Sequence, residues 1–244
     1  MDCVTILMYT VVGSDRMNDS TIDSTYLETV EKVNVEKKKS LTFLFIKRTF
    51  DIFCALLGIF AMIPVTIIVK ISYMLSGDFK SIFFVQKRIG KNGKVFYLYK
   101  YRTMVPNAEE VLKELLKKPK YKKEWAENQK FDKDPRITKV GKILRKTSLD
   151  ELPQMYNVLY GDMSMIGPRP LVKGELDAHN GNHAVYESVR PGISGWWAVN
   201  GRSATNYDKR LELEYYYCNN CSLWLDIKCI FLTIKAVICK TGAK

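Results

Sequence analysis

Between Asp51 and Lys70 the chain reads IFCALLGIFAMIPVTIIV, eighteen residues (52–69) without a charged side chain. As a helix this run is roughly 27 Å long, against about 30 Å of bilayer hydrocarbon. It is a membrane segment with barely the length to cross. Pro64 falls well inside it, where a proline costs about 3 kcal/mol in a straight helix and normally kinks it. Basic residues flank both ends: Lys37, Lys38, Lys39, Lys47 and Arg48 in front, Lys70, Lys80, Lys87 and Arg88 behind. The positive-inside bias then favours neither orientation of a spanning helix and is best satisfied when both ends stay on the cytoplasmic side. The expectation is a bent, re-entrant helical hairpin over residues 41–76, with a straight transmembrane helix and a buried core helix as alternatives. The run begins too far from Met1 to be an N-terminal signal sequence.

Of 244 residues 47% are apolar, enough for a real core in one large domain or two small ones, so disorder of the whole chain is excluded. Lysine and arginine exceed the acids by 12, which points to anionic partners: nucleic acid, phosphorylated metabolites or an acidic membrane surface. The cysteines at 3, 54, 218, 221, 229 and 239 form no spaced framework, which favours a reduced, cytoplasmic compartment. Cys218 and Cys221 make a C-x-x-C, but no second pair or nearby histidine completes a zinc site. His179 and His183 stand in HNGNH, where glycine and asparagine predict a surface loop.

Residues 1–40 read as a flexible polar arm, and 77–244 as the cytoplasmic domain. SIFFVQKRIGKNGKVFYLYKYRTM predicts two strands joined by a turn at Asn92–Gly93. In the second, Phe96, Leu98 and Lys100 alternate with Tyr97, Tyr99 and Tyr101. That pattern fits a half-buried strand at a membrane interface better than a platform for nucleic-acid bases. Asn107 to Lys117 predicts a helix opened by Asn107 and closed by Pro119, followed by a charged connector to Arg136. Residues 137–146 predict a basic amphipathic helix with Ile137, Val140, Ile143 and Leu144 on one side. Near the C-terminus CSLWLDIKCIFLTIKAVI is apolar nearly all round, suited to packing on the re-entrant segment or to lying in the interface. The fold class is α+β, mostly helical: a single membrane-associated domain with a re-entrant helix hairpin, a small β-hairpin and interfacial helices.

In KTSLDELPQMYNVLYGDMSMIGPRP, residues 146–170, adjacent acids Asp150 and Glu151 precede Arg169, which is held between Pro168 and Pro170. The SLDE stretch also reads as a capping box in which Glu151 reaches back to Ser148. Pro153 confines a helix start to this place, so in either reading the acids sit at a helix N-terminus. Free amides and the positive end of the dipole attract phosphate there and keep a carboxylate ionised and nucleophilic. Arg145, Arg169 and a divalent cation held by the carboxylates would relieve repulsion from a diphosphate. The two prolines restrict the backbone of Arg169, so its guanidinium loses little entropy on clamping a phosphate. Taken alone, PRP reads as a rigid turn with a solvated arginine.

Four ordered blocks, KRTFDIFCALLG, FVQKRIGKNGKVFYLYKYRTM, DPRITKVGKILRKTSLDELPQMYNVLYGDMSMIGPRP and RPGISGWWAVNGR, carry a resemblance that extends from about Lys47 to about Ile238. Together they resemble the bacterial sugar transferases, the monotopic phosphoglycosyl transferases. The resemblance implies transfer of sugar 1-phosphate from a UDP-sugar to undecaprenyl phosphate with release of UMP. It also implies magnesium (Mg2+) as cofactor, bound through Asp150 and Glu151, and a place on the cytoplasmic face of the bacterial inner membrane. Such enzymes initiate capsule or exopolysaccharide synthesis. Asp150 matches the nucleophile that forms a phosphosugar intermediate, and Glu151 matches the second acid of the dyad. Pro168, Arg169 and Pro170 match the nucleotide-sugar loop, while Lys100, Arg102 and Arg145 match basic positions assigned to phosphate binding. No nucleic-acid partner is expected, and a homodimer is compatible with the family.

Three features depart from the family pattern or place the chain within it. Ile63–Pro64 stands where Ser–Pro is usual, Trp197 and Ala198 replace Ala and Gln, and the short arm places the chain with the minimal form. Rival readings are a membrane-tethered nucleic-acid-binding protein, supported by the charge and the tyrosine-rich strand, and a non-catalytic scaffold. The sugar is open among galactose, glucose and N-acetylated amino sugars.

Overall fold

The structure, a computed structural model, describes residues 39–128, 131, 133–201 and 205–238. All but the end of the expected polar arm lies outside the described residues. The first element, α1, is a single helix from Leu41 to Leu75 with Pro64 inside it. Where the sequence pointed to a hairpin of two arms, there is one helix. Its packing explains why it holds. Lys47, Asp51, Ala55, Met62, Val69 and Tyr73, four or seven residues apart and so one or two turns along the helix, face the rest of the domain. At Gly58 an added Cβ would lie 2.7 Å from the Met155 side chain. Just beyond the proline, the Thr66 hydroxyl donates to the Met62 carbonyl at 2.8 Å and meets the Tyr101 hydroxyl, so the helix is tied to the domain where proline weakens it. The opposite face bares Phe45, Phe53, Phe60, Ile68 and Leu75 to solvent.

The hairpin follows as expected: β1 (Phe83–Ile89) pairs antiparallel with β2 (Val95–Tyr101) around a turn in which Asn92 takes φ 57°. Tyr101 is buried along with Phe96 and Leu98, against α1 and Leu144, so the simple alternation of the strand breaks where both faces are covered. Next come α2 (Ala108–Leu116) and α3 (Pro119–Asn128). The latter corrects the expected connector. Pro119 opens a helix as comfortably as it ends one, and Tyr121 and Trp125, one turn apart, pack on Phe131 with ring centroids 5.3 and 5.1 Å away. The basic helix is α4 (Lys139–Thr147), with Leu144 buried and Ile143 exposed, so the predicted apolar side is narrower by Ile143. Gly141 is required there, because a Cβ would lie 2.0 Å from the Thr103 carbonyl oxygen.

A 3₁₀ turn, Leu149–Glu151, leads into α5 (Gln154–Tyr160). Arg48 of α1 donates to the Val158 and Leu159 carbonyls at 2.7 and 2.9 Å, a cation at the helix end where the dipole favours one. Then β3 (Ser164–Ile166) runs parallel to β4 (Gly192–Ser194), with α6 (His183–Tyr186) between them. Sequence patterning missed this pair because three-residue strands show no period. A Cβ on Gly192 would come 2.1 Å from the Gly167 amide nitrogen, so glycine is what lets the two strands close up. The HNGNH stretch lies on the surface as expected, its irregular residues 180–182 bounded by short helical turns, and His183 lies 2.7 Å from both Asp177 and Glu187. The last described elements are α7 (Trp196–Asn200), α8 (Tyr207–Asn220) and α9 (Leu223–Ile238). Lys47 ties α1 to α9, α8 and β3, reaching Asp226 at 2.7 Å, Tyr217 at 3.3 Å and the Ile166 carbonyl at 3.0 Å. Asp51 accepts from Ser164 Oγ and the Met165 amide at 3.0 and 2.9 Å. Both ends of α1 and its middle therefore rest on one domain.

Candidate active site

A cleft of about 1000 Å³ opens between β2, α4, the 3₁₀ turn and the loop after β3. Lys100, Arg102, Arg145, Asp150, Glu151, Arg169 and Pro170 line it. Of the predicted site residues only Pro168 stands apart, buried behind its loop against a smaller cavity.

The acids are placed by a local break in the chain. Ser148 ends α4 in the left-handed conformation, φ 56° and ψ 17°, and its side chain makes no cap. The expected capping box is therefore not formed: Glu151 turns to Lys100, with Oε1 2.7 Å from Nζ. Asp150, adjacent to it, makes no side-chain hydrogen bond or ion pair with another described residue. Burial pushes the Asp150 carboxyl above the ordinary aspartate range and Glu151 adds to that, while Lys100 and Arg145 pull the other way. The sequence argument, that a helix end keeps this acid ionised, underestimated desolvation. The result is one free carboxylate, half-buried beside two cations, next to one that is paired.

The basic residues divide into two kinds. Arg145 is held through Nε to Thr103 Oγ1 at 3.0 Å. Arg102 also lines the cleft but is bonded into the fold: it donates to the Ser81 and Met104 carbonyls at 2.7 and 3.1 Å, pairs with Asp78 at 2.9 Å and stacks on Tyr73. Its guanidinium braces the C-terminal end of α1 against β2. Arg169 is the opposite case, exposed between two buried prolines, with no guanidinium hydrogen bond or ion pair to a described residue. Sequence reasoning missed Arg88, Gln154, Trp197 and Glu214, all on the cleft wall. Only Trp197 had left a signal, as a departure from the family pattern.

Could these residues hold a divalent cation? Among the described residues no cluster of three or more metal-ligating side chains occurs. Two adjacent carboxylates are nevertheless the donor set magnesium uses when substrate phosphates and water complete its shell, so the acids fit it.

The acid pair and the cations line one cleft, on a domain whose long first helix bares an apolar face. The chain belongs to the bacterial sugar transferase family, whose pattern it matches over residues 42–240. It is 43% identical over 211 residues to undecaprenyl-phosphate galactose phosphotransferase of Salmonella typhimurium, covering 86% of this chain and 43% of that protein. To the exopolysaccharide production protein ExoY of Sinorhizobium fredii it is 40% identical over 198 residues, 81% of this chain and 87% of ExoY. To UDP-N-acetylgalactosamine-undecaprenyl-phosphate N-acetylgalactosaminephosphotransferase of Aeromonas hydrophila it is 38% identical, over 82% of this chain and 45% of that protein. The chain thus spans less than half the length of several curated relatives it matches.

Proposed function

We propose that the chain transfers sugar 1-phosphate from a UDP-sugar to undecaprenyl phosphate, and so starts a capsule or exopolysaccharide. The observation that carries this reading is the unpaired Asp150 carboxylate, set beside Lys100 and Arg145 in a cleft whose other wall presents Arg169. A carboxylate oxygen of Asp150 attacks the β-phosphorus of the UDP-sugar. The bond from that phosphorus to the bridging oxygen breaks, and UMP leaves with the electron pair. An oxygen of the lipid phosphate then attacks the same phosphorus, the aspartyl P–O bond breaks, and the carboxylate is regenerated. Lys100 and Arg145 offset the charge of the phosphates, Glu151 keeps Lys100 in place, and Arg169 binds the nucleotide diphosphate. Magnesium, held by Asp150 and Glu151 with the phosphates of the substrate, would supply further neutralisation of charge.

The lipid substrate requires the cleft to stand at the membrane surface. α1 supports a monotopic seat on the cytoplasmic leaflet. Its contacts with the domain recur from Lys47 to Tyr73, leaving no free stretch as long as the roughly 20 residues a crossing needs, while its outer face offers phenylalanine and isoleucine to lipid. Residues 77–244 then form the catalytic domain.

The test supplies membranes containing the protein and undecaprenyl phosphate with a panel of UDP-sugars. UMP and a sugar-phosphate lipid should appear for one of them, and a phosphosugar adduct should be trapped on Asp150 when the lipid is withheld. Cysteines introduced at Ser40 and Ser76 should both be labelled from the cytoplasmic side. Lipid product without any adduct would remove the covalent step, and labelling of the two cysteines from opposite sides would remove the monotopic seat.

A further inference from the structure

Pro168, Arg169 and Pro170 carry four backbone hydrogen-bonding groups, since neither proline has an N–H. All four are occupied. The Gly192 amide donates to the Pro168 carbonyl at 2.8 Å. The Arg169 amide donates to Glu214 Oε1 at 3.1 Å, and the Tyr186 hydroxyl donates to the Arg169 carbonyl at 2.9 Å. Arg88 Nη1 donates to the Pro170 carbonyl at 3.1 Å. Three of these partners are side chains, drawn from β1, α6 and α8. Loop backbone is ordinarily bonded by its own turn or by water, so three long-range side chains converging on this stretch, two on exposed Arg169 and one on the adjoining Pro170, need an explanation.

Glu214 is the least expected of them. It is 1% exposed, and its Oε2 has no hydrogen-bond partner. Burial pushes its carboxyl up to about 7, against the amide of Arg169 and the charges of Arg210 and Arg169. A buried acid with one oxygen unbonded is a poor choice for stability, since an apolar side chain of similar size would avoid the desolvation. Its location offers a reason. Arg169 and Arg210 both lie close enough to repel Arg88, and the Glu214 carboxylate offsets the positive charge of Arg210 and Arg169. Yet it bonds only the backbone of Arg169 and makes no ion pair with that guanidinium, which stays available to a ligand.

We propose that Glu214, Tyr186 and Arg88 are positioning residues that fix the backbone of Arg169 so that its guanidinium meets the diphosphate of a nucleotide sugar already oriented. This rests on the proposed role of Arg169 in binding that diphosphate. With the backbone clamped before the ligand arrives, binding costs only side-chain freedom. The three act through Arg169, so removing them should matter only while Arg169 is present.

The experiment measures UDP affinity by calorimetry, and KM and kcat for the active UDP-sugar, on the full chain in lipid vesicles. Tyr186→Phe, Glu214→Ala and Glu214→Gln are each made alone and in an Arg169→Ala background. Leaving a buried carbonyl or amide without its partner should weaken UDP binding and raise KM about tenfold for Tyr186→Phe and Glu214→Ala, with kcat nearly unchanged. Glu214→Gln, which keeps an acceptor for the Arg169 amide, should recover most of the loss. In the Arg169→Ala background the same changes should add less than about twofold. Equal losses in both backgrounds, or no change in UDP affinity, would overturn the proposal. Tyr186→Phe removes a single oxygen and decides the matter if Glu214→Ala does not fold. UDP binding that behaves as expected in a protein that makes no lipid product would leave the clamp standing and count against the transfer reading instead.

Discussion

The two walls of the cleft are built on opposite principles. On the acid wall Asp150 rides a single 3₁₀ turn behind a left-handed serine, with its carboxylate unbonded and its charge state set by burial against two cations. On the arginine wall every backbone group of the loop is bonded and both flanking prolines are buried. A nucleophile must keep its lone pairs free, whereas a recognition group gains by being fixed in advance. The contrast between freedom on one side and restraint on the other is what the following expectations try to break.

The largest effect belongs to the free side. Asp150→Asn removes the attacking oxygen's charge without changing its size, and UMP release should fall at least about 10³-fold while membrane association is kept. Normal turnover in this variant would end the contrast. A second comparison sets two arginines of the same cleft against each other. Arg169→Ala should weaken UDP binding between about tenfold and about a hundredfold, the loss of charge-assisted bonds, with the melting temperature nearly unchanged. Arg102→Met should do the reverse: a buried ion pair broken on one side costs roughly 3 kcal/mol and lowers the melting temperature by about 10 °C in thermal unfolding. If Arg102→Met behaves like Arg169→Ala, the division between bracing and binding arginines is wrong.

The smallest effect is a shift in pH dependence. Asp150 must be ionised to attack, and its carboxyl is raised by burial and by Glu151, so activity should rise with pH through a value above that of a solvated aspartate. Lys100→Met removes a charge that holds this carboxyl down and unpairs Glu151. Both changes favour the neutral acid, so the acid limb of the kcat/KM profile should move to higher pH. A limb that stays in place, or moves down, would mean that Lys100 does not face Asp150 in the working enzyme.

Much of this site was legible before the fold was known. The acid pair, the proline-held arginine and the Asn92–Gly93 turn are local patterns, and local patterns survive folding because the backbone near a proline or a left-handed asparagine has few choices. Lys100 and Arg145 were placed near the acids by family resemblance, and the cleft holds both. Arg102 shows where such reasoning stops: its type and its place just after the strand suit phosphate, and only the fold brings Ser81, Asp78 and Tyr73 against it as well. The long helix shows a similar limit. Its length, its lack of charge and its proline were in plain view, but whether it bends into two arms depends on what packs beneath it.

The sequence by itself determined the elements whose causes lie within a few residues: the apolar run, the hairpin turn, the acids beside a helix start and the restricted arginine. Tertiary structure alone decided which charges are free and which are bound. Nothing local in LELEYYY marks Glu214, and it becomes a buried clamp because α8 lies against the loop after β3. Burial and pairing depend on neighbours more than a hundred residues away in some cases, as for Lys47 and Ile166, and no local pattern carries that information.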